Sequence, residues 1–151
     1  MRTIGIRAAP KAVTFVVFDA DADAVLNVED IRIPIAFHTP EALKYVRNNL
    51  LDILREYGIE RAGIRVTEPS AQSPNIARIQ IEGVVQEAFA SSLLKSYYVG
   101  QISSISARLG IERADFKRYV DGQLDWPVEN WASLRKEQRE ALLCAMGASR
   151  A

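Results

Sequence analysis

Apolar and polar positions alternate strictly at the start of the chain. Ile4, Ile6 and Ala8 stand on one side and Gly5 and Arg7 on the other, which predicts a half-buried strand over residues 3–9. Pro10 and Lys11 supply a short turn. The β-branched and aromatic run AVTFVVF then predicts a second strand over 12–18, paired with the first as a hairpin. Residues 19–27 read as an acidic, alanine-spaced connection. Alternation returns over 30–36, with Ile31, Ile33 and Ile35 inward and Arg32 and Pro34 between them. Proline cannot donate to a ladder, so this third strand is expected at a sheet edge.

The period then changes to that of a helix. Thr39 is a suitable N-cap, Pro40 suits the first helical position, and Gly58 suits the residue past the last turn. Between them Leu43, Val46, Leu50, Ile53, Leu54 and Tyr57 share one stripe. A fourth strand is expected over 62–68. A second helix should open at Ser73-Pro74 and run to about residue 92, its apolar side carrying Ile76, Ile79, Val84, Ala88 and Phe89. Ile81 and Val85 add a second apolar side, which asks for a second packing partner. A fifth strand is expected over 96–103, short helical pieces over 104–119, and a closing helix over 131–146. The order β-β-β-α-β-α-β-α predicts an α/β fold with a five-stranded mixed sheet. Short links make the first three strands antiparallel, and helical crossovers make the later ones parallel, giving the strand order 3-2-1-4-5. No repeat or linker divides the chain, so one domain over 1–151 is expected.

Composition narrows the classes. Hydrophobic residues make up 48% and charged residues 25%, an ordinary globular balance. No apolar run reaches the ~20 residues of a membrane-spanning helix, and Met1 to Ile6 lacks the apolar core of a signal segment. A single cysteine, Cys144, excludes an internal disulfide or a thiolate metal cage and fits a reducing, cytoplasmic setting. Nineteen basic and nineteen acidic residues cancel, without the basic surplus typical of nonspecific nucleic-acid binders. No glycine-rich phosphate loop, nucleophile elbow, zinc motif or dinucleotide fingerprint is present, so no nucleotide cofactor is implied.

Three stretches carry a family resemblance. Ile4-Gly5-Ile6 leads through a hairpin into Val13–Phe18. Glu68 ends the fourth strand, before a loop and the helix around Ile79–Ala90. Glu137 and Glu140, three apart, lead into Ala141-Leu142-Leu143-Cys144-Ala145. Together they resemble the RuvC-type Holliday-junction resolvases of the ribonuclease-H-like superfamily, across nearly the whole chain. The resemblance implies two-metal phosphodiester hydrolysis with Mg2+ or Mn2+ held by clustered carboxylates, and it implies a homodimer. The position after Gly-Ile on the first strand, where the resemblance implies a metal-bridging aspartate, is Arg7. A guanidinium is always charged and cannot coordinate a cation. Arg7 is therefore expected to act as a tethered cation among Glu68, Glu137 and Glu140, with no metal bound; Arg7→Asp is the change expected to restore binding.

Other candidates weigh less. Asp19, Asp21 and Asp23 have the 1-3-5 spacing of a calcium loop, but Ala24 replaces the glycine at position six and strands flank the run, so a solvated connection is expected. His38, the only histidine, has no ligand-spaced neighbours and belongs to the helix cap. Cys144 lies in an apolar helix as a small core residue. Arg108, Arg113, Lys117 and Arg118, with Phe116 and Tyr119 among them, form the most basic stretch and the candidate nucleic-acid contact; the i, i+3 spacing of the two aromatics equally fits the inner face of a helix. Trp126 and Trp131 are expected to anchor the last helix. The leading functional expectation is a degenerate, catalytically inactive RuvC-like domain that binds nucleic acid or assembles with protein. The alternatives are a divergent nuclease rebuilt from Glu68, Glu137, Glu140 and Asp19, and a protein-interaction module without nucleic acid.

Overall fold

The computed structural model describes residues 1–150. Five strands, Arg2–Ala8 (β1), Ala12–Asp19 (β2), Ala24–Arg32 (β3), Arg61–Arg65 (β4) and Ser96–Gly100 (β5), form one sheet in the order β3-β2-β1-β4-β5. β2 is antiparallel to both β1 and β3, while β4 is parallel to β1 and to β5. The helices are Thr39–Glu56 (α1), Ile76–Ala90 (α2), Ile102–Leu109 (α3), Arg113–Val120 (α4) and Lys136–Ser149 (α5), with a 3-10 turn at Trp131–Ser133 before the last. The five-stranded mixed sheet and its order are those expected from the short early links and the later crossovers.

Alternation sends Ile4, Ile6, Ala8, Val13, Phe15, Ala62 and Ile64 to one face, against Val46, Leu50 and Leu54 of α1 and Ile81, Val85 and Phe89 of α2. The opposite face receives α5, which packs on β1, β2 and β4. That approach is unusually close. A Cβ on Gly5 would fall on the carbonyl oxygen of Ala141 and the amide of Ala145, so β1 and α5 meet backbone to backbone there. Thr3 Oγ1 donates to the Ala145 carbonyl at 2.8 Å, and Tyr98 Oη donates to that of Cys144 at 2.8 Å, which pins α5 in register.

Several expected boundaries shift. The third strand is Ala24–Arg32, not 30–36; it does lie at the edge, but Pro34 falls beyond it. The acidic run is a tight reversal in which Asp19 accepts from the amides of Asp21 and Ala22, and Asp23 takes a left-handed φ of 50°. Those local bonds leave Val25 and Val28 free to pair with β2. α1 is capped by His38 rather than Thr39, with Glu41 accepting from the His38 amide at 3.2 Å. α2 starts at Ile76 behind an Asn75 cap whose side chain accepts from the Arg78 amide. Its core side is Ile81, Val85, Ala88 and Phe89, while Ile76 and Ile79 face outward. Packing against α1 and the sheet buries a side that joins Ile81 and Val85 to Ala88 and Phe89 of the expected stripe.

Candidate functional site

The site grows from a coincidence of two strands. Gly5-Ile6-Arg7 on β1 and Gly63-Ile64-Arg65 on β4 are the same tripeptide, paired in register. Residues directly opposite share a face, so Arg7 and Arg65 stand side by side beneath α5. The row continues outward through Thr14 on β2 and Asp30 on β3. A polar line thus crosses four strands of the sheet at the point where the first turns of α5 pass over it.

Two adjacent guanidinium groups repel, and α5 answers with Glu140. Its Oε2 lies 3.3 Å from Nε of Arg7, as a hydrogen bond, and 3.3 Å from Nε of Arg65. Arg65 also donates from Nη1 to Glu68 at 2.9 Å and to the Val66 carbonyl. Glu68 further accepts the amide of Ile102, the first residue of α3, at 3.1 Å, and Arg113 approaches it to 3.7 Å. Beyond this pair lies Glu82 on α2, 4% exposed, which accepts the amide and hydroxyl of Thr67 at 2.9 Å. Arg78 reaches Glu82 at 2.9 Å, off the N–H direction. Burial pushes the Arg78 guanidinium below its ordinary range, and the positive charges of Arg7 and Arg65 push the same way. At the far end of the row, Asp30 accepts from Thr14 Oγ1 at 2.7 Å and from Arg135 Nη2 at 3.0 and 2.9 Å.

Of the expected residues, Arg7, Glu68 and Glu140 meet in this network. The Glu137 side chain makes no ion pair or hydrogen bond among the described residues. Arg113 touches the network through Glu68, and Lys117 lines a cleft beside it. Arg118 pairs with Asp115 at 3.2 Å on the surface. Arg108 is taken up elsewhere: it lies 3.8 Å over the Tyr98 ring and donates to the carbonyls of Gly147 and Arg150, closing the end of α5. Asp19 is committed to its turn, and His38 is exposed at the α1 cap. Cys144 is fully buried, and burial pushes its thiol up to about 12. Phe116 and Trp131 are core residues, and Trp126 stacks edge-on against Tyr119 at 5.0 Å. Sequence reading missed Arg65, Arg78, Glu82, Thr14, Asp30 and Arg135. The repeated Gly-Ile-Arg was the available signal for Arg65.

The donor set does not fit the divalent ions that the resemblance implies. No group of three or more His, Cys, Asp or Glu side chains converges to hold a metal among the described residues. The two carboxylates that do approach one another, Glu68 and Glu140, share Arg65 between them.

No protein-family model and no curated protein sequence matches the chain significantly. Solved structures do. Thermus thermophilus RuvC superposes with a TM-score of 0.71 at 14% identity, covering 99% of this chain and 93% of that one. The same protein in complex with a Holliday-junction substrate gives 0.72 at 15% identity, over 99% and 92%. The chain has a RuvC-type ribonuclease-H-like fold. The yeast mitochondrial Holliday-junction resolvase Ydc2 shares it less closely, with a TM-score of 0.58 at 14% identity over 98% of this chain and 77% of that one. On this RuvC-type frame, the cation network occupies the face that α5 covers, at the ends of β1 and β4.

Proposed function

We propose that this chain is a non-cleaving RuvC-like domain: a single, cytoplasmic unit that binds nucleic acid without metal-dependent hydrolysis. The observation that carries this reading is Arg65, which bridges Glu68 and Glu140 while Arg7 holds Glu140 from the neighbouring strand. Carboxylates neutralised by fixed guanidinium groups have little left for a diffusible ion. At ~4 Å and an effective dielectric near 20, each unit of positive charge brought beside a guanidinium costs about 4 kcal/mol. A divalent ion meets about twice that from one arginine, and here there are two. Similarity to RuvC, seen in one structure with a Holliday-junction substrate, supports nucleic acid as the partner. Arg113 and Lys117, both exposed beside the network, supply the contact cations.

The test compares wild type with Arg7→Asp/Arg65→Gln. Wild type is expected to bind a four-way DNA junction, to leave it uncut with manganese, and to show no manganese-dependent rise in melting temperature. The double variant is expected to gain such a rise, because metal binding to the folded state stabilises it. Arg7→Asp alone is expected to fall short, since Arg65 remains between the carboxylates. Junction cleavage by wild type with manganese would establish the divergent nuclease instead.

A second reading, assembly, has its own observation. Outward-facing Ile79 of α2 and Val99 of the edge strand β5, both 44% exposed, line one groove of about 440 Å³, with Ile76 beside it at 74% exposure. A homodimer through α2 and β5 would cover this face. Sedimentation of a monomer at micromolar concentration would defeat it.

A further inference from the structure

Beside the arginine pair lies a cleft of about 210 Å³, lined on its polar side by Arg65, Lys117, Lys136, Asp121 and Glu140, with Phe116 beneath. We propose that this cleft binds a phosphate group. The inference rests on the non-cleaving reading of the same residues and gives their charge a use: the tethered cations hold the anion themselves.

Arg65 supplies the main argument. It is 7% exposed, yet it uses only Nη1, for Val66 and Glu68. Its Nε finds no hydrogen-bond acceptor, since Glu140 at 3.3 Å lies off the N–H direction, and its Nη2 makes no hydrogen bond among the described residues. A guanidinium carries five N–H donors in a rigid fork, and buried donors without acceptors are costly. Phe116 sits 5.7 Å under this guanidinium and holds its plane. Lys117 is exposed with no ion pair among the described residues, and Lys136 pairs only with Asp121, at 3.2 Å. The lining holds three cations against two carboxylates, and with Arg7 and Glu68, which pair with Glu140 and Arg65, the count is four against three. An anion relieves this arrangement and a cation worsens it. A phosphate suits it better than a carboxylate, because its oxygens point in several directions, one toward Nη2 of Arg65 and others toward the ammonium groups of Lys117 and Lys136.

The probe is inorganic phosphate, titrated into wild type, Lys117→Glu and Lys136→Gln against sodium chloride of equal ionic strength. Wild type is expected to show a saturable rise in melting temperature and a matching heat of binding. Lys117→Glu is expected to weaken phosphate about tenfold or more, the loss of a charge-assisted contact, and Lys136→Gln to weaken it less. A response no greater than that to chloride, or one unchanged in both variants, overturns the site. A second arm measures four-way DNA junction binding with phosphate as competitor. Displacement, together with weaker junction binding by Lys117→Glu, assigns the cleft to the nucleic-acid backbone; phosphate binding that leaves the junction in place assigns it to a free phosphate or monoester. Manganese-dependent cleavage by wild type would refute the non-cleaving reading. The absence of a phosphate response in a protein that does not cleave refutes this inference alone.

Discussion

Toward α1 and α2, β1 presents Ile4, Ile6 and Ala8; toward α5 it presents Thr3, Gly5 and Arg7. β4 repeats the contrast with Ala62 and Ile64 on one side and Gly63 and Arg65 on the other. The first face is held by side-chain volume and tolerates rearrangement among apolar residues of similar size. The second has its own apolar cluster, with Val16, Phe18, Ile105, Leu142 and Leu143, and adds to it glycine contacts, hydroxyls bonded to helix carbonyls, and paired charges. Such a face has few ways to relax. Both faces have an apolar core, but only the α5 face adds a charged network: a helix brought to backbone contact by glycine leaves charged groups at its end shielded and in fixed positions.

This contrast can be broken or sharpened by substitution. Gly5→Leu should have the largest effect. The new side chain meets backbone rather than movable side chains, so loss of cooperative folding is expected, beyond the ~1–3 kcal/mol usual for overpacking. A sharp thermal unfolding transition in this variant would show that α5 can lift from the sheet. Arg65→Met comes next, at about 3–5 kcal/mol by denaturant titration, because two partly buried carboxylates lose their shared partner. Adding Glu140→Leu to Arg65→Met should recover part of that loss, which a purely steric role for Arg65 would not allow. On the opposite face, Leu50→Ala is expected to cost about 2–5 kcal/mol through a cavity alone, with no rescue by any charge change. The mildest effect is alkaline. Cys144 and Tyr98, both on the α5 face, have ionisations pushed up, first by burial. A raised folded value means that the neutral form is preferred in the native state, so stability is fully present below the unfolded value. It declines as pH rises from about 9 toward 12 for the thiol. Cys144→Ala should flatten that decline in melts collected across this window.

The two faces also differ in how far they could be read from the chain alone. Strand order, the crossovers and the α1 stripe follow from periodicity and link length, and the sheet order 3-2-1-4-5 emerged intact. The edge strand was displaced because proline and isoleucine alternation over 30–36 looked more regular than the true strand, whose outer side is polar and half-exposed. In α2 the spacing could not decide between two apolar sides, since the buried side is set by packing against α1 and the sheet. Within the site, Arg7, Glu68 and Glu140 were legible through the family resemblance, although β4 ends at Arg65 and leaves Glu68 in the loop beyond the strand it was expected to close. Arg65 was not, because an arginine within the strand expected over 62–68 reads as a solvent-facing residue until the register sets it beside Arg7. Glu82 and Asp30 were hidden for a similar reason: their partners, Thr67 and Arg135, come from other elements.

Arg65 between Glu68 and Glu140 has an evolutionary consequence as well. On the non-cleaving reading, exchanging Arg7 alone would not make a metal site, since one fixed cation would still sit among the carboxylates. Replacing Arg65 first would strand two acidic groups near one another with no ion yet able to bind, at a cost in stability that selection would see. On that reading the two arginines hold each other in place, and a metal site would need both exchanges together.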